Sequence, residues 1–370
     1  MKVTFNKNEL TSALDRVQRA AQTKINSNTN NGFFISAANG IVEFQANDYT
    51  IGIKTTCSAD IFEDGVAVIA APQLQSTLRM MPSGDIVMEM GKGENTVSFK
   101  SGSYFSKFPV RNSQDFPEVE EMDHQNHAVI RCKDFADMVS LVQFAAATDK
   151  QKPFFTGVLF EIHDFLFAMA ATNTHRLATK EISLDEPATA AGRIIVPAGI
   201  LSDVIRLLPD GEEEKMEISW SKNHVAFTIG STYFISNLIN GEYPEYQRVI
   251  PQSFDAHAEL NLHDFAEAVR FVSPISRDVN YNTINFHFKQ GVLEVFEEDP
   301  EIGRSDTSIP VKLEGDDIDI TFNCSYIEDI LKHSKGETIT LHLLKSGPML
   351  VEQQDDKTYR YVVTPMRGRN

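Results

Sequence analysis

Residues 6–17 read NKNELTSALDRV, and the fold turns on how often that stretch recurs. Asn6 followed three residues later by Glu9 has the form of a helix start, and Leu10, Leu14 and Val17 share one face at spacing i, i+4, i+7. Adding 125 to those positions reaches Phe135, Val139 and Val142, and adding a further 130 reaches Phe265, Val269 and Val272. All six are apolar, and each trio opens a helical stretch.

A second helical face repeats at the same interval. Leu74, Leu78 and Met81 shift by 126 to Ile200, Val204 and Leu207, then by 126 to Tyr326, Ile330 and His333, where only the histidine breaks the pattern. Behind each comes an alternating run that reads as a half-buried strand: Ile86, Met88, Met90; Met216, Ile218, Trp220; Ile339, Leu341, Leu343. The turn-rich strings GKGEN, SKNH and KSGP follow these runs as hairpin breaks, and each copy closes on a proline, at Pro117, Pro244 and Pro365. The expected organisation is therefore three copies of one α+β domain, over residues 1–122, 123–251 and 252–370, with linkers near 118–127 and 246–257. Each copy carries two amphipathic helices on one face of antiparallel strands.

Three similar domains in a row leave an unpaired edge at each end, which favours aggregation unless it is covered. A head-to-tail contact between the first repeat of one chain and the third of another, made twice, closes a twofold dimer. If the helices face inward, twelve of them line the hole and the strands form the outer wall.

The chain of 370 residues has a net charge of −18, a field that by itself repels nucleic acid. The charges are sorted, however. Basic residues from Arg16, Arg19, Lys24 and Arg79 to Lys332 and Lys335 lie in or beside the helical stretches, while FPEVEEMD at 116–123, DGEEEK at 210–215 and FEEDPE at 296–301 lie elsewhere. The sorting is partial, since Asp15 and Asp203 also sit on helices. A solvated helix face accounts for these charges if the repeat is ignored; with a ring in view, a weakly positive hole around a polyanion accounts for them better.

Enzyme chemistry finds no seat: the sequence has no GxxxxGK[ST] loop, GxSxG elbow, HExxH helix or EF-hand loop. Cys57, Cys132 and Cys324 are scattered and form no CxxC pair, so they read as reduced core thiols, and no metal or other cofactor is expected. Glu297, Glu298, Asp299 and Glu301 read as a solvated loop rather than a cation site. The start MKVTFNKNELTSAL lacks an apolar signal core, and no apolar run approaches the roughly 18 to 20 residues of a membrane span. A cytoplasmic protein without membrane contact is expected.

Four motifs carry a resemblance over the whole length: TNTHRLA at 172–178, LINGEYPEYQRVIP at 238–251, FNCSYIEDIL at 322–331 and YVVTPMR at 361–367. In them the chain resembles the bacterial sliding clamps, the beta subunits of DNA polymerase III. That resemblance implies the DNA clamp fold, a homodimeric ring around duplex DNA without sequence preference, and a non-catalytic role as processivity factor of the DNA-directed DNA polymerase in replication. It further implies a pocket between the second and third repeats. There, short linear motifs of the polymerase III catalytic subunit, the clamp loader, translesion polymerases and mismatch-repair proteins would bind.

Carried over by motif, the pocket wall is Thr172, Thr174, His175, Arg176 and Leu177, with Pro244, Arg248 and Val249, then Val362, Pro365, Met366 and Arg367. Apolar groups and a proline there suit leucine and phenylalanine anchors, with arginines to orient the peptide. Positions commonly aspartate, then glycine or serine, are Asn173 and Thr174 here, and Gly368 to Asn370 extend the end. The implied DNA-facing residues are Lys24, Lys150 and Lys152, with Phe154 and Phe155 nearby; Arg79 and Arg206 join them from the charge sorting. Phe105 and Lys107 in the first repeat and Ile275 in the third are the implied dimer seam. Two other readings stay open: a repeat-built adaptor that binds only proteins, and an enzyme using His175 and Arg176.

Overall fold

The computed structural model describes residues 1–21, 32–149, 151–278, 282–354 and 356–366. The first repeat runs β1 (Lys2–Asn6), α1 (Lys7–Val17), β2 (Phe33–Ala38), β3 (Ile41–Asn47), β4 (Ile51–Cys57), β5 (Asp60–Glu63), β6 (Gly65–Ile69), α2 (Ala71–Met80), β7 (Asp85–Glu89), β8 (Thr96–Ser101) and β9 (Tyr104–Arg111). The second runs β10 (His127–Arg131), α3 (Cys132–Val142), β11 (Gly157–His163), β12 (Leu166–Thr172), β13 (Arg176–Ser183), β14 (Gly192–Pro197), α4 (Ala198–Ile205), β15 (Lys215–Trp220), β16 (His224–Ile229) and β17 (Thr232–Asn237). The third repeats that order: β18 (Ala256–Asn261), α5 (Leu262–Asp278), β19 (Thr283–Lys289), β20 (Gly291–Asp299), β21 (Gly303–Gly315), β22 (Ile318–Asn323), α6 (Cys324–His333), β23 (Thr338–Leu343), β24 (Met349–Gln353) and β25 (Asp356–Val363).

The apolar trios do what their spacing requires. All nine first-helix positions, from Leu10 to Val272, are at most 1% exposed, and burying each such side chain contributes about 1.5–3 kcal/mol. Asn6 caps α1 by accepting the Asn8 N–H at 2.9 Å, one position earlier than a capping box would place that bond. The first two second-helix trios are also covered, while Tyr326 and His333 of the third are half-buried; Met81 is the C-cap of α2 and Leu207 lies beyond α4, because these two helices end before their third apolar residue. Lys7 closes the end of α2, donating to the Arg79 carbonyl at 3.0 Å and to the Met81 carbonyl. Met90 likewise lies just past β7 and is half-buried.

Among the described residues the strands form two antiparallel sheets, ordered β10-β15-β16-β17-β4-β3-β2-β6-β9-β8-β7-β1-β5 and β14-β11-β12-β13-β25-β24-β23-β18-β21-β20-β19-β22. The strands of the second repeat are thus shared out: four extend the sheet of the first repeat and four that of the third. Contacts accordingly divide the chain into unit one (Met1–Cys132, Ala188–Ala190, Ser202–Leu238) and unit two (Lys133–Pro187, Ala191–Leu201, Ile239–Asn370). Repeat and contact unit are different divisions of one chain.

Neither expected linker hangs free. In residues 118–126 the Val119 N–H is accepted by Gln45 Oε1 at 2.8 Å and the Met122 N–H by the Tyr233 hydroxyl at 2.8 Å. The second stretch holds a 3₁₀ turn, Tyr246–Val249, and the start of β18. Among the described residues no helix is long and apolar enough to cross a membrane.

Candidate functional site

The proposed pocket residues lie within unit two. β12 and β13 are joined by Asn173, Thr174 and His175, and Thr174 takes φ +78°, backbone territory that a β-branched residue enters only under constraint. The constraint comes from neighbouring side chains. Thr172 Oγ1 accepts the Thr174 N–H at 3.0 Å and donates to the Arg176 carbonyl at 2.6 Å. Asn173 Oδ1 accepts the N–H groups of His175 and Arg176 at 3.1 and 3.0 Å, while its amide donates to the Tyr326 hydroxyl at 3.2 Å. An asparagine there ties the turn to α6.

β13 pairs with β25, so that Leu177 stands opposite Val362 on one face. Both are buried, and with Leu350, Tyr243, Tyr246, Ile250 and Phe155 they form one apolar cluster against which Phe154, Ile239 and Phe254 pack partly exposed. Burial pushes the Tyr243 hydroxyl well above the usual phenol range, a partial offset coming from the Thr172 backbone beside it. The C-terminal segment is fastened to the turn: the Thr364 N–H and hydroxyl donate to the His175 carbonyl at 2.9 and 3.0 Å. Further on, the Met366 N–H donates to the Thr321 carbonyl at 2.8 Å. Around the buried floor, Thr172, Pro365 and Met366 are half-exposed, and Thr174, His175, Pro244, Arg248 and Val249 are exposed.

Arg176 departs from the expectation. Its side chain is 9% exposed and bonds to Asp329 Oδ2 at 2.5 Å and to the Phe144 carbonyl at 2.5 Å. The guanidinium carbon lies 4.6 Å from the Tyr326 ring centre and 5.4 Å from that of Phe144. A guanidinium held in this way braces the wall, while its Nε is left without a hydrogen-bond partner among the described residues. His175 and Arg176, read together as a catalytic pair, therefore separate: one side chain is exposed, the other internal. Arg367 lies outside the described residues.

Of the DNA-facing candidates, Lys24 and Lys150 lie outside the described residues. In unit one, Arg79 pairs with Asp15 at 2.8 Å, and Asp203, with a side chain only 7% exposed, receives Arg19 at 2.8 Å and Arg206 at 3.5 Å. One hidden carboxylate facing two exposed guanidiniums leaves a positive surplus at the surface. In unit two, Lys152 is exposed, with its ammonium 5.8 Å from the Phe155 ring centre. Phe155 itself is a buried member of the apolar cluster, so it faces no ligand.

For the seam, Phe105 is 63% exposed on β9, Lys107 is exposed and pairs with Glu94 at 3.6 Å, and Ile275 on α5 is half-buried. Sequence reasoning missed Tyr104, 55% exposed, and Phe271, 61% exposed on α5. An exposed aromatic leaves no trace in periodicity. The acidic residues of FEEDPE are engaged locally: Glu297 Oε2 accepts from the Asn285 amide at 3.0 Å and Glu298 pairs with Arg304 at 3.0 Å. Asp299 Oδ1 accepts the N–H groups of Glu301 and Ile302 at 2.9 and 3.3 Å. Among the described residues no three His, Cys, Asp or Glu side chains gather as a metal site.

Fold and site together define a scaffold built from three copies of one α+β domain, with an apolar cluster flanked by exposed side chains where the second and third copies share a sheet. Family models of the DNA polymerase III beta subunit match in chain order: the N-terminal domain over residues 1–120, the central domain over 129–245 and the C-terminal domain over 247–367. The chain belongs to the DNA polymerase III beta subunit family. Similar curated proteins include the beta sliding clamp of Chlamydia muridarum, 24% identical over 99% of each chain, and that of Bacillus subtilis, 23% identical over 99% of this chain and 100% of its own. Among solved structures, the Bacillus subtilis DNA polymerase sliding clamp superposes with a TM-score of 0.94 at 23% identity, and a Pseudomonas aeruginosa sliding clamp bound to griselimycin with 0.93 at 23%. Each pair covers 100% of both chains.

Proposed function

We infer that this protein is a DNA sliding clamp, a homodimeric ring that encloses duplex DNA and tethers the replicative polymerase to it. The observation that carries the reading is a rule in the strand pairing. The fourth strand of the first repeat, β4, pairs with the last strand of the second, β17. Its counterpart in the second repeat, β13, pairs with the last strand of the third, β25. Applied once more, the rule joins β21 to β9, and each of these strands, though inside its sheet, has most of one side unpaired among the described residues. β9 pairs with β8 along Tyr104–Pro109 and with β6 only at Val110 and Arg111. β21 pairs with β20 along 303–311 and with β18 only along 312–315.

Two chains satisfy both open edges by pairing β9 of each with β21 of the other, and a closed ring of six domains has no such edge left. The domain limits 1–122, 123–251 and 252–370 follow the repeat. Exposed Tyr104, Phe105 and Phe271 supply apolar seam contact. The surface arginines then serve a sequence-independent polyanion held by enclosure, with no need of tight binding. The protein acts without catalysis, in the cytoplasm. The apolar floor at Leu177 and Val362, rimmed by Pro365 and Met366, receives short linear motifs of the polymerase catalytic subunit, the clamp loader, translesion polymerases and mismatch-repair proteins.

The function is tested on nicked circular DNA. The free protein should migrate at about 83 kDa, twice its 41.4 kDa chain; once loaded, it should stay on circles through gel filtration and leave when a restriction enzyme cuts the circle. Retention on the cut DNA, or failure to load at all while peptides still bind, would instead favour an adaptor that does not encircle DNA.

A further inference from the structure

In unit two, the antiparallel pairing of β18 with β23 puts His257 directly opposite His342. Their Nδ1 atoms are 2.6 Å apart, with ring planes at 83°. On the other side of the second ring, Nε2 of His342 lies 3.1 Å from Glu352 Oε2 on β24. An ionised carboxylate only accepts, so this Nε2 carries the proton and the lone pair of neutral His342 sits on Nδ1, aimed at His257. The Phe254 ring walls one side, centred 5.0 Å from His342 and 5.7 Å from His257. His257 is exposed, which leaves the other side open to water.

We propose that His257 and His342 form a two-imidazole site for a divalent transition-metal ion, Cu(II) or Ni(II) before Zn(II), with Glu352 as positioning residue and water completing the coordination. Two nitrogens from adjacent strands converge on one point, as a cis pair of ligands must. With metal–nitrogen bonds of about 2.0–2.1 Å, a right-angled cis pair stands about 2.9 Å apart, so the rings open by roughly 0.3 Å, a small rotation at Cβ. A tetragonal set of nitrogen and water ligands suits Cu(II) and Ni(II). The carboxylate behind His342 fixes its tautomer and ring orientation, as outer partners of metal-bound histidines do. On binding, neutral His257 changes tautomer: the proton between the rings leaves Nδ1 to water and another is taken from water at Nε2, so both ligating imidazoles are neutral.

The test uses the full chain, free of any affinity tag, titrated with NiCl₂ and CuSO₄ by calorimetry. One strongest site per chain is expected, weakened at least tenfold in His257→Asn and in His342→Asn. The Cu(II) electron spin resonance spectrum should show coupling to two imidazole nitrogens in the parent and one in either variant. Glu352→Ala is expected to weaken binding about tenfold, and Glu352→Gln, which keeps an acceptor, to recover part of the loss. His257 is exposed, so its variant keeps the fold, as an unchanged melting temperature would verify. If both asparagine variants bind like the parent, the metal resides elsewhere among the ten histidines and the proposal fails. It fails equally if the parent binds no tighter than millimolar, and a Glu352→Ala affinity equal to the parent's removes the carboxylate from the site.

Discussion

Met366 is half-exposed at the rim of the proposed peptide pocket, with its backbone tied to Thr321. A flexible thioether at such a place fits leucine and phenylalanine anchors. Met366→Ala should weaken a peptide bearing both by roughly 1–3 kcal/mol in calorimetry; unchanged affinity would move the pocket elsewhere. A second residue governs acid stability. Burial alone would raise the Asp356 carboxyl, but hydrogen bonds from Lys180, both at 2.6 Å, and from Thr358 hold it below its usual value of 3.8. A lowered carboxyl contributes stability that is present above the unfolded value and lost as pH falls through the folded one. Asp356→Asn should therefore melt below the parent at pH 7, and the gap between the two should close as pH falls below 3.8 and through the lowered value of the folded carboxyl. At this scale the sequence is only partly legible. His333 breaks the apolar pattern of its helix, yet its ring stacks on Phe144 at 4.5 Å and its Nδ1 lies 2.7 Å from the Asp329 carbonyl oxygen. Arg176 reads as a ligand contact, and its bonds to Asp329 and Phe144 were not legible for the same reason: residue type and spacing do not say whether a polar group finds its partner inside the protein.

Elements were easier to read than the seams between them. Burial period places a helix face to within a turn, which is why all nine first-helix positions fall in the core. Where a strand ends, and which edge stays open, depends on partners distant in sequence, and β9 illustrates this. Its alternation is ordinary, but Tyr104 to Pro109 have a strand on one side only among the described residues. Both open edges also hold a proline, Pro109 on β9 and Pro310 on β21. Proline lacks the N–H that an inner strand would donate on both sides, so it is confined to edges or to seams that spare that bond. Phe105 projects from this open strand beside Lys107, on the face where a partner strand would bring its own side chains. Phe105→Glu is expected to shift the mass in solution from dimer to a single chain near 41.4 kDa, with a melting temperature that falls and no longer depends on protein concentration, because association stabilises the folded chain. A variant that stays dimeric would place the seam away from β9.

Across the whole molecule, the net charge of −18 and the association with DNA are reconciled by topology, and this separates two quantities that ordinary DNA-binding proteins join. A protein held by phosphate contacts loses affinity steeply with salt, in proportion to the charges it neutralises. One held by enclosure loses only its weak attraction to the backbone while the ring stays shut. The DNA-facing role proposed for Arg79 and Arg206, both exposed and each paired with a carboxylate, would make them part of that attraction and no part of the closure. The double variant Arg79→Ala, Arg206→Ala should bind linear duplex more weakly than the parent at low salt, with a shallower salt dependence. Loaded on nicked circles, it should be retained as long as the parent, because both leave only when a ring opens. A double variant that fell from circles in step with its loss of linear binding would make charge, not closure, the agent of retention.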